Sequence, residues 1–228
     1  MSIRSVFDQE LQTLRDDVLR LGSMVDEAIG LSIQALKTRD QPLARRIVAD
    51  DEQINELRFK IEEGAVSLIA RQQPNASDLR FTVGAISIAL ELERMADHAA
   101  GIATIVVRMG DEPLLKPLID LPRMAQIARE MLRASLDALT QNDAEAALAV
   151  TDRDDEVDDL YNQIFREIIS YILEDPQAVT RAMYLLFCAH NVERIADRVT
   201  NICERVDFIA TGRLEEIPSS AGLDVGLT

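Results

Sequence analysis

Leu92-Glu93-Arg94-Met95-Ala96-Asp97-His98 and Val192-Glu193-Arg194-Ile195-Ala196-Asp197-Arg198 carry the same Glu-Arg-x-Ala-Asp core, 100 residues apart. The register extends beyond the motif, superposing Ala89 on Ala189, Ile102 on Ile202 and Val106 on Val206. Earlier in the chain a shift of 103 brings Ala35-Leu36 onto Ala138-Leu139, Asp40 onto Asp143, Asp51 onto Asp154, Leu57 onto Leu160 and Ile61 onto Ile164. A generic amphipathic repeat would align apolar residues but not Glu, Arg and Asp. The chain therefore reads as an internal duplication.

Each copy reads as three helices. Leu11, Leu14, Val18, Leu21, Val25 and Ala28 alternate steps of three and four, the stripe of a bundle helix. That helix ends near Thr38, and Asp40 caps a second one with Pro42 in its first turn. The second carries Ile47, Ile54, Leu57, Ile61 and Leu68 to about Arg71, where Gln72-Gln-Pro-Asn-Ala-Ser-Asp breaks it. A third runs over about 78–109. The second copy has helices expected near 121–141, 143–174 and 177–211, after a linker with Pro113 and Pro117. The predicted fold class is all-α: two tandem three-helix bundles, 1–110 and 120–211, followed by a mobile tail over 212–228 that lacks periodicity.

Composition agrees. With 47% hydrophobic residues among 228 the chain can bury one substantial core or two small ones, and 4% aromatics favours helix over a β-sandwich. The net charge of -16, with no Lys/Arg cluster to reverse it locally, argues against nucleic acid as a partner. The longest stretch free of Asp, Glu, Lys and Arg, Ala182 to Val192, falls well short of the ~20 residues of a membrane span. The first residues hold no apolar signal region, so the sequence predicts a cytoplasmic protein. Cys188 and Cys203 lie on one predicted helix, ~22 Å apart along its axis, and read as small core residues rather than a disulfide.

The chemistry sits in the acids. Glu93 with Asp97, and Glu193 with Asp197, share a helical face at about 5–6 Å between Cβ atoms, where two carboxylates repel. Either an arginine, Arg94 or Arg194, or a shared hard cation must offset this. The second helix of each copy adds acids at the same spacing, Asp154 with Asp158 in one and Asp51, followed by Asn55, in the other. Facing helices could converge four carboxyl groups. Hard oxygen donors without cysteine favour Mg, Ca, Mn or Fe over structural zinc. The competing readings are an ion-pair network and plainly solvated acids. His98 and His190 have no histidine counterpart in the other copy (Arg198 and Leu90) and read as surface or satisfied core residues.

These motifs, with Tyr171-Ile-Leu-Glu-Asp-Pro176, resemble the PhoU family over about Phe7 to Ile209. The resemblance implies a homodimer that negatively regulates phosphate uptake through components of a Pst-type ABC phosphate transporter and a membrane sensor histidine kinase, peripheral to the membrane only through those partners. It also implies cation binding, with Fe, Mn, Mg or Zn as candidates, at Glu93, Asp97, Glu193, Asp197, Asp154, Asp158 and Asp51. Asn55 and Gly101 depart from the pattern, as do Ala96 and Ala196 at a position often glycine. A carboxylate-bridged di-metal oxidase is the rival from another class, but it needs Glu-x-x-His motifs, and Met95 and Phe187 precede the two histidines by three. A purely structural helical adaptor is the third reading. No catalytic residues or enzymatic activity are expected.

Overall fold

The computed structural model describes residues 3–72 and 74–213. Its helices are α1 (Ile3–Thr38), α2 (Gln41–Gln72), α3 (Ala76–Met109), α4 (Asp120–Gln141), α5 (Ala144–Thr151), α6 (Asp154–Glu174) and α7 (Val179–Thr211), with a 3-10 turn at Pro176–Ala178. The described residues contain no strand. Of the expected tail, residues 214–228 lie outside the described residues.

The same turn joins the first two helices of each repeat. Arg39 and Asn142 adopt left-handed backbone, φ 56° and 53°. The amides that follow reach back, Asp40 to the Ala35 carbonyl and Asp143 to that of Ala138, each at 3.0 Å, closing the helix end in a Schellman motif. The same two aspartates then cap the next helix, accepting the amides of Leu43 and Ala146 at 2.9 Å. One aspartate thus ends one helix and starts the next. Asn75 does the capping for α3.

One expected helix is broken. The run over 143–174 divides at Asp152-Arg153, where Arg153 N bonds the Val150 carbonyl and Glu156 N bonds that of Arg153, both three-residue steps. The Thr151 hydroxyl also turns back onto the Leu148 carbonyl at 2.7 Å. Such short polar side chains compete with the helical ladder, and the new helix start gives Asp154, Asp155 and Glu156 the favourable end of a helix dipole. The first repeat has Val48-Ala49-Asp50 there and α2 runs through.

The repeats share one core. Val18, Leu21, Val25 and Ile29 of α1, Ile88, Leu92 and Met95 of α3, Met124 and Met131 of α4, and Val192, Ile195 and Ile202 of α7 are all fully buried in a single cluster. α3 and α7 meet along most of their length as the central pair, and α1 meets α4. Glu91 on α3 ties this seam, accepting from Arg198 at 3.3 Å and Asn201 at 3.2 Å. His98 Nδ1 lies 3.0 Å from Asn191 Oδ1, and Gly101 leaves that amide room, since a Cβ would stand 3.1 Å from the same oxygen. Cys188 and Cys203 are both buried free thiols on α7, as expected.

Candidate functional site: two unequal carboxylate faces

In the second repeat the break before α6 sets Asp154 and Asp158 on the first turns of a helix that lies against α7. Asp154, Asp158, Glu193 and Asp197 there feel one another's charge. Burial, then Asp158, Asp197 and Glu193, push the Asp154 carboxyl up to about 7. Burial and Asp197 push Glu193 to about 7 as well, against the opposing Arg194. Asp158 is raised by burial and by Asp197. Two oxygens, Asp154 Oδ1 and Glu193 Oε2, are buried without a hydrogen-bond partner. Such orphaned acceptors are costly unless a proton, a cation or an unlocated water satisfies them.

Arg194 is a partial answer. Its guanidinium lies 2.9 Å from Asp197 Oδ2 and 3.4 Å from Glu193 Oε2. His190 Nδ1 also stands 3.4 Å from Glu193 Oε2, and its ring tilts against Tyr161 with centroids 6.3 Å apart. Burial and the nearby Arg194 hold His190 below its ordinary value, which keeps it a poor counter-charge. His190 is a residue the sequence reading set aside; its i,i+3 spacing from Glu193 was the available signal.

The first repeat is milder. Asp51 and Glu93 are raised, each by burial first and then by Asp97. Asn55, where the second repeat has Asp158, donates to Asp51 at 3.2 Å. Arg58, where the second has Tyr161, lowers Glu93 through its charge while it bonds Glu62 at 3.0 Å. Asp97 is exposed, unlike the half-buried Asp197. Arg94 offsets Glu93 only through its charge, which lowers that carboxyl, while its bonded partner is Glu91, one turn back on α3, at 3.2 Å. Glu91 holds that guanidinium because it already faces the seam, only 13% exposed and strongly bonded.

Each face therefore brings its predicted acids together, three in the first repeat and four in the second. The donors are all oxygens, suited to hard cations. The orphaned oxygens of Asp154 and Glu193 fit such an ion. Yet among the described residues no three carboxylate, histidine or cysteine side chains converge on one ligating point. Within the chain itself, Arg194 is the cation that contacts the acids of the second face.

The fold and faces define a class: a duplicated all-α protein whose polar chemistry is two acid-lined helix faces flanking a shared core. Among the described residues no helix is long and apolar enough to cross a membrane. The chain belongs to the PhoU family, the PhoU domain profile matching residues 18–106 and again residues 121–206. It is 36% identical over 211 residues to a phosphate-specific transport system accessory protein PhoU homolog of Rhizobium meliloti (strain 1021), covering 92% of this chain and 89% of the relative. Against the phosphate-specific transport system accessory protein PhoU of Escherichia coli (strain K12) the identity is 32% over 211 residues, 92% of this chain and 88% of that one. The crystal structure of the phosphate transport system regulatory protein PhoU from Streptococcus pneumoniae superposes with a TM-score of 0.86 at 33% identity, covering 92% of this chain and 100% of that one.

Proposed function

We propose that the chain is a cytoplasmic, non-catalytic regulator that restrains phosphate uptake and phosphate-starvation signalling by contact with a Pst-type ABC transporter and a membrane sensor histidine kinase, acting as a homodimer. The observation that carries this reading is the match of both repeats to a family whose members here are named as accessory proteins of phosphate transport. The acid faces, Asp154, Asp158, Glu193 and Asp197 in one repeat and Asp51, Glu93 and Asp97 in the other, are proposed to take Fe, Mn, Mg or Zn. The second face binds more firmly because its charge is less offset. These residues would hold the ion, and the ion would supply positive charge that draws α6 onto α7.

Deletion of the gene tests the function: phosphate uptake and starvation-gene expression should both rise in phosphate-rich medium. Unchanged uptake and expression would reject regulation. A pull-down from detergent-solubilised membranes should recover transporter or kinase subunits. The Arg194 bridge favours a second reading, a structural ion-pair network without metal. Metal analysis of Asp197→Asn beside the native protein, with melting curves with and without chelator, separates them. Melting that ignores chelator, with no metal recovered after reconstitution, leaves the ion-pair network.

A further inference from the structure

α6 and α7 are joined by the short turn at Pro176–Ala178 and so run antiparallel. The Tyr161 ring against that of His190 sets their register, which places Phe165 about opposite Phe187, Ile169 opposite Met183 and Leu173 opposite Val179. All of these but Met183 are exposed, Phe187 by 50% and Leu173 by 78%. On a chain of net charge -16, the stretches that carry most of them, Ile168 to Leu173 on one helix and Ala182 to Val192 on the other, hold no Asp, Glu, Lys or Arg. Single exposed apolar residues are ordinary on a surface, but a contiguous apolar patch marks a contact.

The patch is continuous with the second acid face. Asp154, Asp158, Tyr161 and Phe165 follow one another by four, three and four residues along α6, and Met183, Leu186, His190, Glu193 and Asp197 by three and four along α7, so each set lies on one stripe. The groove between the two helices is therefore acidic at one end and apolar at the other, with Asp158 and Ile169 11 residues apart, ~16 Å of helix. At the acidic end Arg194 is committed to Glu193 and Asp197. Asp154 and Asp158 make no ion pair among the described residues, and Asp154 Oδ1 is buried without a hydrogen-bond partner. The first repeat has Glu62 and Ser87 in place of the two phenylalanines, and its Glu62 is paired with Arg58, which leaves Val66, Leu79 and Val83 there without an aromatic pair.

We propose that this groove receives an amphipathic helix of a partner protein, its apolar stripe seated against Phe165, Ile169 and Phe187 and a lysine or arginine ~16 Å further along the same stripe reaching Asp154 and Asp158. Helices dock in grooves through such a stripe, where large apolar anchors supply most of the affinity and the charged end fixes direction and register. A second copy of the chain fits less well, because a two-fold contact of this face with itself sets apolar half on apolar half and leaves both acidic ends without a cation. The proposal rests on the reading of the chain as a regulator that works by contact and names what the partner must present. Binding in vitro can fail while the gene-deletion result stands, and the reverse.

The test titrates the full chain, with chelator present so that no metal ion competes for the acids, into a fluorescent alanine-based helical peptide of about 18 residues, with leucines along one stripe of its first half and lysines on the same stripe of its second. Anisotropy should rise saturably. Glutamine in place of the lysines should weaken binding about tenfold and remove most of its dependence on salt. Phe165→Gln and Phe187→Gln should each weaken it about tenfold, with melting curves confirming that both variants fold, while Val66→Gln, at the position of Ile169 in the first repeat, should change nothing. Asp158→Asn should weaken the lysine peptide and leave the glutamine peptide as it was. No binding, or binding that survives both phenylalanine substitutions, would overturn the groove, and equal affinity of the two peptides would overturn the basic end. Sedimentation should give the same mass for the native chain and Phe187→Gln; a mass halved in the variant would overturn the partner helix in favour of a second copy.

Discussion

Asp26 and Arg129 occupy the same position in the two repeats, 103 residues apart, and bind each other: Arg129 Nε donates to Asp26 Oδ1 at 2.8 Å and Nη2 to Oδ2 at 2.9 Å. A residue that meets its own counterpart lies at the approximate two-fold axis relating the repeats. Two identical halves would set like charges against each other there. One chain with two unlike copies sets carboxylate against guanidinium, and Arg133 adds a third bond to Asp26 at 2.8 Å. The α3–α7 seam uses the same device, Glu91 facing Arg198 on one side of the axis and their counterparts, Asn191 and His98, facing each other on the other.

Asp26→Asn should therefore cost about 2–3 kcal/mol and lower the melting temperature by about 5–10 °C, because it leaves two guanidinium groups without their anion in a partly buried place. Burial alone would raise this carboxyl, but the hydrogen bonds from Arg129 and Arg133 outweigh it and hold Asp26 below its ordinary 3.8. Stability from a depressed acid is present above its unfolded value and is lost as pH falls through the folded one. The gap between native protein and variant should stay constant from pH 8 to pH 5 and close below about pH 4. Thermal unfolding across that range checks it, and a gap that closes above pH 5 counts against the account.

Two glycines should respond in opposite directions to alanine. Gly64 is exposed in mid-helix, and a Cβ there meets nothing within 4 Å, so Gly64→Ala should stabilise by about 0.5–1 kcal/mol. At Gly30 a Cβ would stand 2.9 Å from the Arg129 guanidinium carbon, which is pinned on Asp26. Gly30→Ala should cost about 1–2 kcal/mol despite the gain in helix propensity. Urea unfolding with an unchanged m-value reads both changes.

Asp154 and Glu193 should make the native protein less stable as pH rises. Their folded values, about 7, lie above the ordinary 3.8 and 4.5, so between those limits the native state holds protons that the unfolded chain has released. Raising pH through that window therefore lowers stability. Asp154→Asn should be stabilising, by little at pH 4 and increasingly up to pH 7, then by a constant amount above. Addition of Mn or Mg at pH 8 should raise the melting temperature of the native protein and do so less in the variant. A variant equally destabilised at pH 4 and pH 8 would show Asp154 to be held by packing instead.

The two cysteines should be inert in the folded chain. Burial pushes both thiols up to about 12, leaving almost no thiolate at pH 8, and no path leads to the sulfurs without opening α7. A disulfide reagent should modify neither at pH 8 in buffer and both in denaturant, at a rate that follows unfolding. Fast labelling of one thiol in buffer would indicate local opening of that part of the helix.

Much of this protein was legible along the chain because helices impose a short, fixed geometry. Leu11, Leu14 and Val18 had to share a face, Asp40 and Asp143 had to stand between helices, and Glu93 with Asp97 had to be neighbours, whatever the tertiary fold. Residue-by-residue identity at shifts of 103 and 100 was enough to show the duplication. The break at Asp152-Arg153 was harder to read, since Thr, Asp and Arg are tolerated within a helix, and the turn of the Thr151 hydroxyl onto Leu148 and the reach of Arg153 to Glu130 are visible only in the fold. The destinations of the arginines were legible only in part. Arg94 and Arg194 share the same Glu-Arg-x-Ala-Asp core, yet Arg94 turns to Glu91, three residues back where Arg194 has Asn191, and Arg194 bridges Glu193 and Asp197.

The sequence by itself determined where the helices run, that there are two copies and which acids share a helical face, because these depend on rise and turn within one helix. Only the tertiary structure decided that the copies merge into one core, that Asp26 finds Arg129, and that the acids of the second face are left with less counter-charge than those of the first. Burial and electric field at a side chain come from helices brought alongside it by residues about a hundred positions away, and their approach is set by the fit of whole surfaces, which no local spacing encodes.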